Sequence, residues 1–245
     1  MERKITPSYI IFIVMAVFHV GCVLFDNTML ANSSKVMLMQ LLGAGFLIST
    51  PGIRRFLRHT VVAGLVFSLI GDMFLIFAHG PYGEFAFLVG LGAFLITHLC
   101  YLGGFLSEVP LRSGFLRKQP IWAALFVVFL VGFLAWLWPG IPEGLRLPVV
   151  AYGLAITAMS LSALNWWGQF EGNISRNLLI GALLFMLSDC LLAIARFGQP
   201  FEGAQVGVVA TYIVGQWLII RAVEKRLLQK KKEQPLRLEN RPLLR

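Results

Sequence analysis

Charge is the scarcest property of this 245-residue chain: Asp, Glu, Lys and Arg together make up 13% of it. That is about half the share of a soluble domain. Hydrophobic residues account for 58% and the mean hydropathy is +0.77. The shortage of charge excludes a disordered chain and argues against a soluble enzyme, which needs polar surface to cover its core. Histidine occurs four times and cysteine three times. Cys22, Cys100 and Cys190 lie in apolar runs, and their spacing fits no zinc or redox motif. HExxH, GxSxG and a Cys–His nucleophile pair are all missing. No small-residue cleavage site follows the first apolar run, so that run reads as a retained span.

What the chain does have is long apolar runs. A membrane span needs about 20 mostly apolar residues. Eight candidates occur, at 8–25, 35–50, 60–78, 84–106, 121–138, 146–166, 177–195 and 204–221. Bare backbone finds no partner in lipid, so these are helices. The fold class is therefore all-α: a polytopic membrane bundle of eight transmembrane helices. It comprises a transmembrane domain at 1–223 and a basic cytoplasmic tail at 224–245, read as solvated. The tryptophans mostly sit near span ends, as interfacial belts do.

The net charge of +9 suggests nucleic acid only until its placement is read. Nine of the 21 Lys and Arg residues fall between Arg221 and Arg245. Numbering the gaps alternately puts Arg3, Lys4, Arg54, Arg55, Arg58, Arg112, Arg117, Lys118, Arg176 and that tail on one side. Only Lys35, Arg146 and Arg196 are left for the other. Positive charge marks the cytoplasmic side, so both termini belong there, and in a bacterium the membrane is the inner one. The partners implied are membrane lipids and not nucleic acid. The sequence is silent on oligomeric state.

The halves align weakly when shifted by 117 residues. Gly64 then falls on Gly181, Asp72 on Asp189, Leu75 on Leu192, Ala78 on Ala195 and Lys35 on Tyr152, and His98 lands one residue from Gln216. Four spans per half preserve orientation, so two four-helix repeats would be related by an axis along the membrane normal.

Of the twelve acidic residues, ten lie near span ends, in loops or in the tail. Asp72 and Asp189 lie inside spans, where a lone carboxylate costs about 2.5–3.5 kcal/mol. Each stands twelve residues from the start of its span, about 18 Å deep. Gly64 and Ser68 share a face with Asp72, Gly181 shares one with Asp189, and Ser188 is adjacent to Asp189. Small faces let helices approach closely, so the two carboxyls could share one cavity. Paired carboxyls divide acid/base work, one holding a proton while the other activates water. Such a pair calls for no metal and no cofactor. The bland alternative is a neutral carboxyl that staples two helices.

His98 follows Gly90 and Phe94 on one helix face, with Tyr101 one turn on. Counted from the opposite side of the membrane it lies about 21 Å deep. That leaves roughly 9 Å of depth between it and the carboxyls, which argues against direct contact but fits a shared, lipid-sized cavity. Tyr212 and Gln216 form an i, i+4 pair, with Tyr212 at nearly the level of the aspartates. Lys35 opens the second span, where it either snorkels to the outer interface or binds a phosphate.

These residues resemble a known family. GDMFL at 71–75, GAFLITHLCY at 92–101, GALLFMLSDCLLAIARF at 181–197 and TYIVGQ at 211–216 are similar to motifs of the YhhN-like lysoplasmalogenases. AYGLAITAMSLSAL at 151–164 resembles the sixth span of that family, with Tyr152 and Met159 in place. Lys35 resembles the lysine of a lysine–proline motif, although Val36 stands where the proline would be. The resemblance covers residues 35–221. It implies an integral membrane hydrolase that cleaves the vinyl-ether bond of a lysophospholipid substrate. The products are a fatty aldehyde and a glycerophospho-choline or -ethanolamine. Asp72 and Asp189 are then the catalytic pair, one donating a proton while the other stabilises the cation and activates water. Lys35, His98, Tyr101, Tyr152, Ser188, Tyr212 and Gln216 would bind substrate. The alternative is a proton-coupled transporter of a lipid or amphiphile, but no Gly/Pro-broken span pair stands at equivalent positions. An intramembrane aspartyl protease would need a second glycine before Gly71-Asp72, where Ile70 stands.

Overall fold

The computed structural model describes residues 6–79, 83–170, 172–199 and 201–239, with side chains to residue 233 apart from that of residue 79. Among these residues the chain is helical and no strand occurs. The helices are α1 (Pro7–Leu24), α2 (Thr28–Ser49), α3 (Phe56–Ile76), α4 (Gly83–Glu108), the one-turn α5 (Phe115–Lys118), α6 (Ile121–Leu137), α7 (Glu143–Leu164), α8 (Ile174–Phe197) and α9 (Ala204–Glu239). Short 3-10 turns continue α3 and α6.

Seven of the long helices are apolar enough to cross a membrane. The exception is α2, whose 22 residues include Asn32, Ser33, Ser34, Lys35 and Gln40. It begins seven residues before the stretch expected from the sequence, because Asn27 caps it: the Asn27 Oδ1 accepts from the Leu30 amide at 3.2 Å. Lys35 therefore sits two turns into a helix, about 10 Å from its start, and not at the lip of a span.

Two helix pairs pack closely through glycine. Between α3 and α4, Gly64 takes the ring of Tyr101 and Gly71 the ring of Phe94. Between α8 and α9, a Cβ on Gly181 would stand 2.8 Å from the Gly215 carbonyl, and one on Gly215 would stand 2.9 Å from the Gly181 carbonyl. The first seam spends its glycines on rings, while at the second the backbones themselves approach, as membrane helices with small faces do.

The long α9 ties the bundle together. Its Trp217 ring stacks on Phe12 of α1 at 5.4 Å. Glu224 accepts from Tyr9 at 2.7 Å and pairs with Arg221 at 2.6 Å. The helix continues past Val223, with Glu224 and Leu227 buried. Arg226 and Lys230 both grip Glu108 at the end of α4, at 3.1 and 2.7 Å. Hydrophilic composition suggests solvated chain here, but polar partners on α4 and α1 hold the first turns of that segment against the bundle. Trp166, expected at an interface, is fully buried and donates from Nε1 to the Phe105 carbonyl. In contrast, α6 leans on the bundle with little of its surface: only Leu130 and Leu137 are buried.

Candidate active site

Asp72 and Asp189 each meet two side chains from other helices. Tyr212 on α9 donates to Asp72 Oδ2 at 2.8 Å, and Lys35 Nζ on α2 lies 3.5 Å from Asp72 Oδ1. Tyr152 on α7 donates to Asp189 Oδ2 at 2.6 Å, and His98 Nε2 on α4 lies 3.1 Å from the same oxygen. The arrangement has a pattern. Lys35 and Tyr152, 117 residues apart, each reach the aspartate of the next helix, and these aspartates are also 117 apart. The second partner of each aspartate comes from the other half of the chain.

Burial differs between the two. The Asp72 side chain is 3% exposed and Lys35 is 23% exposed, so a cation reaches in from a partly open position to a closed one. The Asp189 side chain is 12% exposed. No Lys or Arg of the described residues lies within ion-pair distance of it, and no hydrogen bond from them reaches its Oδ1.

The contact of His98 with Asp189 corrects the depth estimate, which kept them about 9 Å apart. The two helices have 26 and 24 residues, about 39 and 36 Å, and exceed a hydrocarbon core of about 30 Å. Depth counted inward from the first apolar residue therefore misplaces the ring by more than one turn. The ring packs edge-on against Phe185, centroids 4.8 Å apart, and lies 5.0 Å from Tyr152. Its Nδ1 is buried and has no hydrogen-bond partner among the described residues. A bare acceptor is the cheaper orphan, so the proton belongs on Nε2, donated to Asp189.

The other expected site residues lie close by but touch neither carboxyl. Tyr101 donates to Gln216 Oε1 at 2.8 Å, and Gln216 Nε2 donates to Ser68 at 2.9 Å. Ser68 reaches Thr97 at 3.2 Å, and Thr97 bonds the Gly64 carbonyl at 3.0 Å. This chain crosses α3, α4 and α9 one turn from Asp72 and fixes their register. Ser188 donates to the Val208 carbonyl at 2.9 Å, so its hydroxyl serves the α8–α9 seam. Phe185 and Thr97 were missed from the sequence. Thr97 had a signal, a hydroxyl beside His98 in an apolar run; Phe185 is one phenylalanine among twenty. Its ring, 5.3 Å from Tyr212 and 4.8 Å from His98, separates the two carboxyl clusters.

The YhhN family model matches residues 30–223 and so takes in both clusters. Over 205 residues the chain is 29% identical to a lysoplasmalogenase of Mycobacterium bovis, covering 81% of this chain and 72% of that protein. It is 33% identical over 156 residues to lysoplasmalogenase TMEM86B of Mus musculus, covering 64% and 59%. To lysoplasmalogenase TMEM86A of Homo sapiens it is 28% identical over 203 residues, covering 75% and 71%. No solved structure matches. A family model matching most of the chain, together with these relatives and two membrane-buried carboxyls inside the matched region, establishes that this chain belongs to the YhhN family.

Proposed function

We propose that the protein is an integral membrane hydrolase that splits the vinyl-ether bond of lysoplasmalogens to a fatty aldehyde and a glycerophospho-choline or -ethanolamine. The observation that carries this reading is the pair of intramembrane carboxyls, one balanced by Lys35 and one with no Lys or Arg of the described residues beside it. Lysoplasmalogenase relatives at about 30% identity support the substrate class.

Vinyl-ether hydrolysis begins with proton transfer to the alkene carbon, which leaves an oxocarbenium ion. Water adds to that ion, and the hemiacetal collapses to aldehyde and alcohol. Asp189 has the geometry of the acid. A neutral carboxyl accepts through its carbonyl oxygen and donates from the other. Oδ2 already accepts from Tyr152 and, with the proton on Nε2, from His98. The acidic proton then sits on Oδ1, which no described protein group engages. After transfer, the same two donors steady the new carboxylate, which takes a proton from the water that adds to the cation and so becomes the acid again. Asp72, charge-balanced by Lys35, supplies a fixed negative charge to the cationic stage, as the second carboxylate does in glycoside hydrolysis. Tyr212 holds its orientation.

The finer topology belongs to the same reading. The eighth span is α2, which is helical over 22 residues and carries Lys35 into the bundle. Both termini face the cytoplasm, and the two halves are repeats. The matched placement of Lys35 and Tyr152 on the two aspartates supports the repeat. A proton-coupled transporter is the weaker reading, since the relatives are named lysoplasmalogenases.

The reaction class is tested with purified protein and three lysolipids that share a headgroup: alkenyl, alkyl and acyl. Only the alkenyl lipid is expected to react. In D2O its aldehyde, trapped by reduction, carries one deuterium on the carbon next to the former carbonyl. Release of fatty acid from the acyl lipid in place of aldehyde would refute the assignment.

A further inference from the structure

Asp189 is not enclosed. It and Tyr152 are among the residues that line a groove between α6, α7 and α8. The walls are apolar: Leu130 and Phe133 from α6, Ile156 from α7 and Met186 from α8. Among the described residues, Asp189 is the only acidic or basic side chain along it. On α7 the lining runs from Val149 to Thr157, about 12 Å. The outer wall is the least embedded helix, with Phe129 of α6 about half exposed. At Gly153, next to Tyr152, α7 and α6 are in close contact: a Cβ there would stand 2.9 Å from Leu130 Cδ1.

We infer that this groove holds the hydrocarbon chain of the lysolipid substrate and admits it sideways from the bilayer, with the Gly153–Leu130 contact setting its width. The inference rests on the proposed vinyl-ether reaction. In that reaction the carbon that takes the proton belongs to the chain, as the second atom beyond the ether oxygen. A chain placed for protonation by Asp189 must therefore leave along an apolar path from that carboxyl, and the groove runs past it on both sides, from Met186 to Ala193 on α8. Both a bilayer and the groove are apolar, so the groove gains little by burial alone; it discriminates by fit. From Asp189 the lining extends about 6 Å along α8 to Ala193, so it contacts the carbons nearest the ether and leaves the rest in lipid.

Two measurements test this, one of which does not depend on turnover. The first compares hexadecenyl with butenyl lysolipid. Gly153→Val closes the groove, so the ratio of kcat/KM for the long over the short chain is expected to fall about tenfold or more. Adding Leu130→Ala reopens it and restores the ratio. The second uses an alkyl-ether lysolipid, which lacks the vinyl bond, with a diazirine close to the ether oxygen. Its label is expected on peptides of α6, α7 and α8 that line the groove, competed by unlabelled lysolipid and diminished by Gly153→Val. Labelling there without any vinyl-ether cleavage by the wild type upholds the groove and rejects the reaction. Cleavage with an unaltered chain-length ratio in folded Gly153→Val, or labelling spread evenly over the lipid-facing helices, overturns the groove.

Discussion

His98 Nε2 on α4 lies 3.1 Å from Asp189 Oδ2 on α8, and the Tyr152 hydroxyl meets the same oxygen at 2.6 Å. Two donors on one oxygen leave the other free to carry the proton. Removing either donor weakens the carboxylate left after proton transfer. Tyr152→Phe is expected to lower kcat by about 10–100-fold with little change in thermal stability, measured as aldehyde release at saturating substrate. His98→Phe keeps the ring packing on Phe185 and loses the donor, with a loss of similar size. Unchanged kcat in both would remove these residues from the chemistry.

Lys35 and Asp72 form an ion pair whose carboxyl is buried, and such pairs are sensitive to loss of one partner. Lys35→Met leaves the Asp72 charge uncompensated and is expected to destabilise the protein by about 3 kcal/mol. The double variant Lys35→Met, Asp72→Leu replaces both charges with apolar groups and recovers most of that stability. It does not recover activity. Thermal unfolding in detergent, run beside the activity assay, separates the two effects.

The α8–α9 seam has no room for a side chain at Gly181 or Gly215, where a methyl group would meet backbone carbonyls at 2.8 and 2.9 Å. Gly181→Leu is expected to cost about 2–3 kcal/mol and to lower activity by moving Asp189. The same substitution at Gly132, which has nothing within 4 Å, is expected to leave thermal stability within about 0.5 kcal/mol. Equal stability of the two variants would show that the seam is looser than described.

The helices and the two carboxyls were legible in the sequence, because apolar runs and intramembrane charges are strong local signals. Lys35 was visible but misplaced. Its position at a span edge followed from hydropathy, while the helix start is set by Asn27, whose cap carries no hydropathy. The His98–Asp189 contact was hidden for a geometric reason: depth along one helix says nothing about the overhang of its neighbour. The role of Glu224 depended on Tyr9, which is 215 residues away. No local pattern encodes that pairing. Phe185 between the carboxyl clusters was invisible, since a phenylalanine in an apolar run carries no distinguishing mark.

Topology is tested by reporters fused after residues 25, 50, 79, 112, 140, 170 and 199 and at both termini. Eight spans with cytoplasmic ends are expected to give reporter activities that alternate across successive loops. Matching reporter activity after residues 25 and 50 would place α2 outside the membrane count.

The central claim is that Asp189 gives the proton, and its most direct test is Asp189→Asn. Asparagine keeps the size and accepts from Tyr152 and His98, but it has no acidic proton. The folded variant, matched to wild type by thermal unfolding and detergent chromatography, is assayed for aldehyde release from alkenyl lysophospholipid. A loss of about a thousandfold or more in kcat/KM is the expected result. Activity within a few fold of wild type would contradict the account.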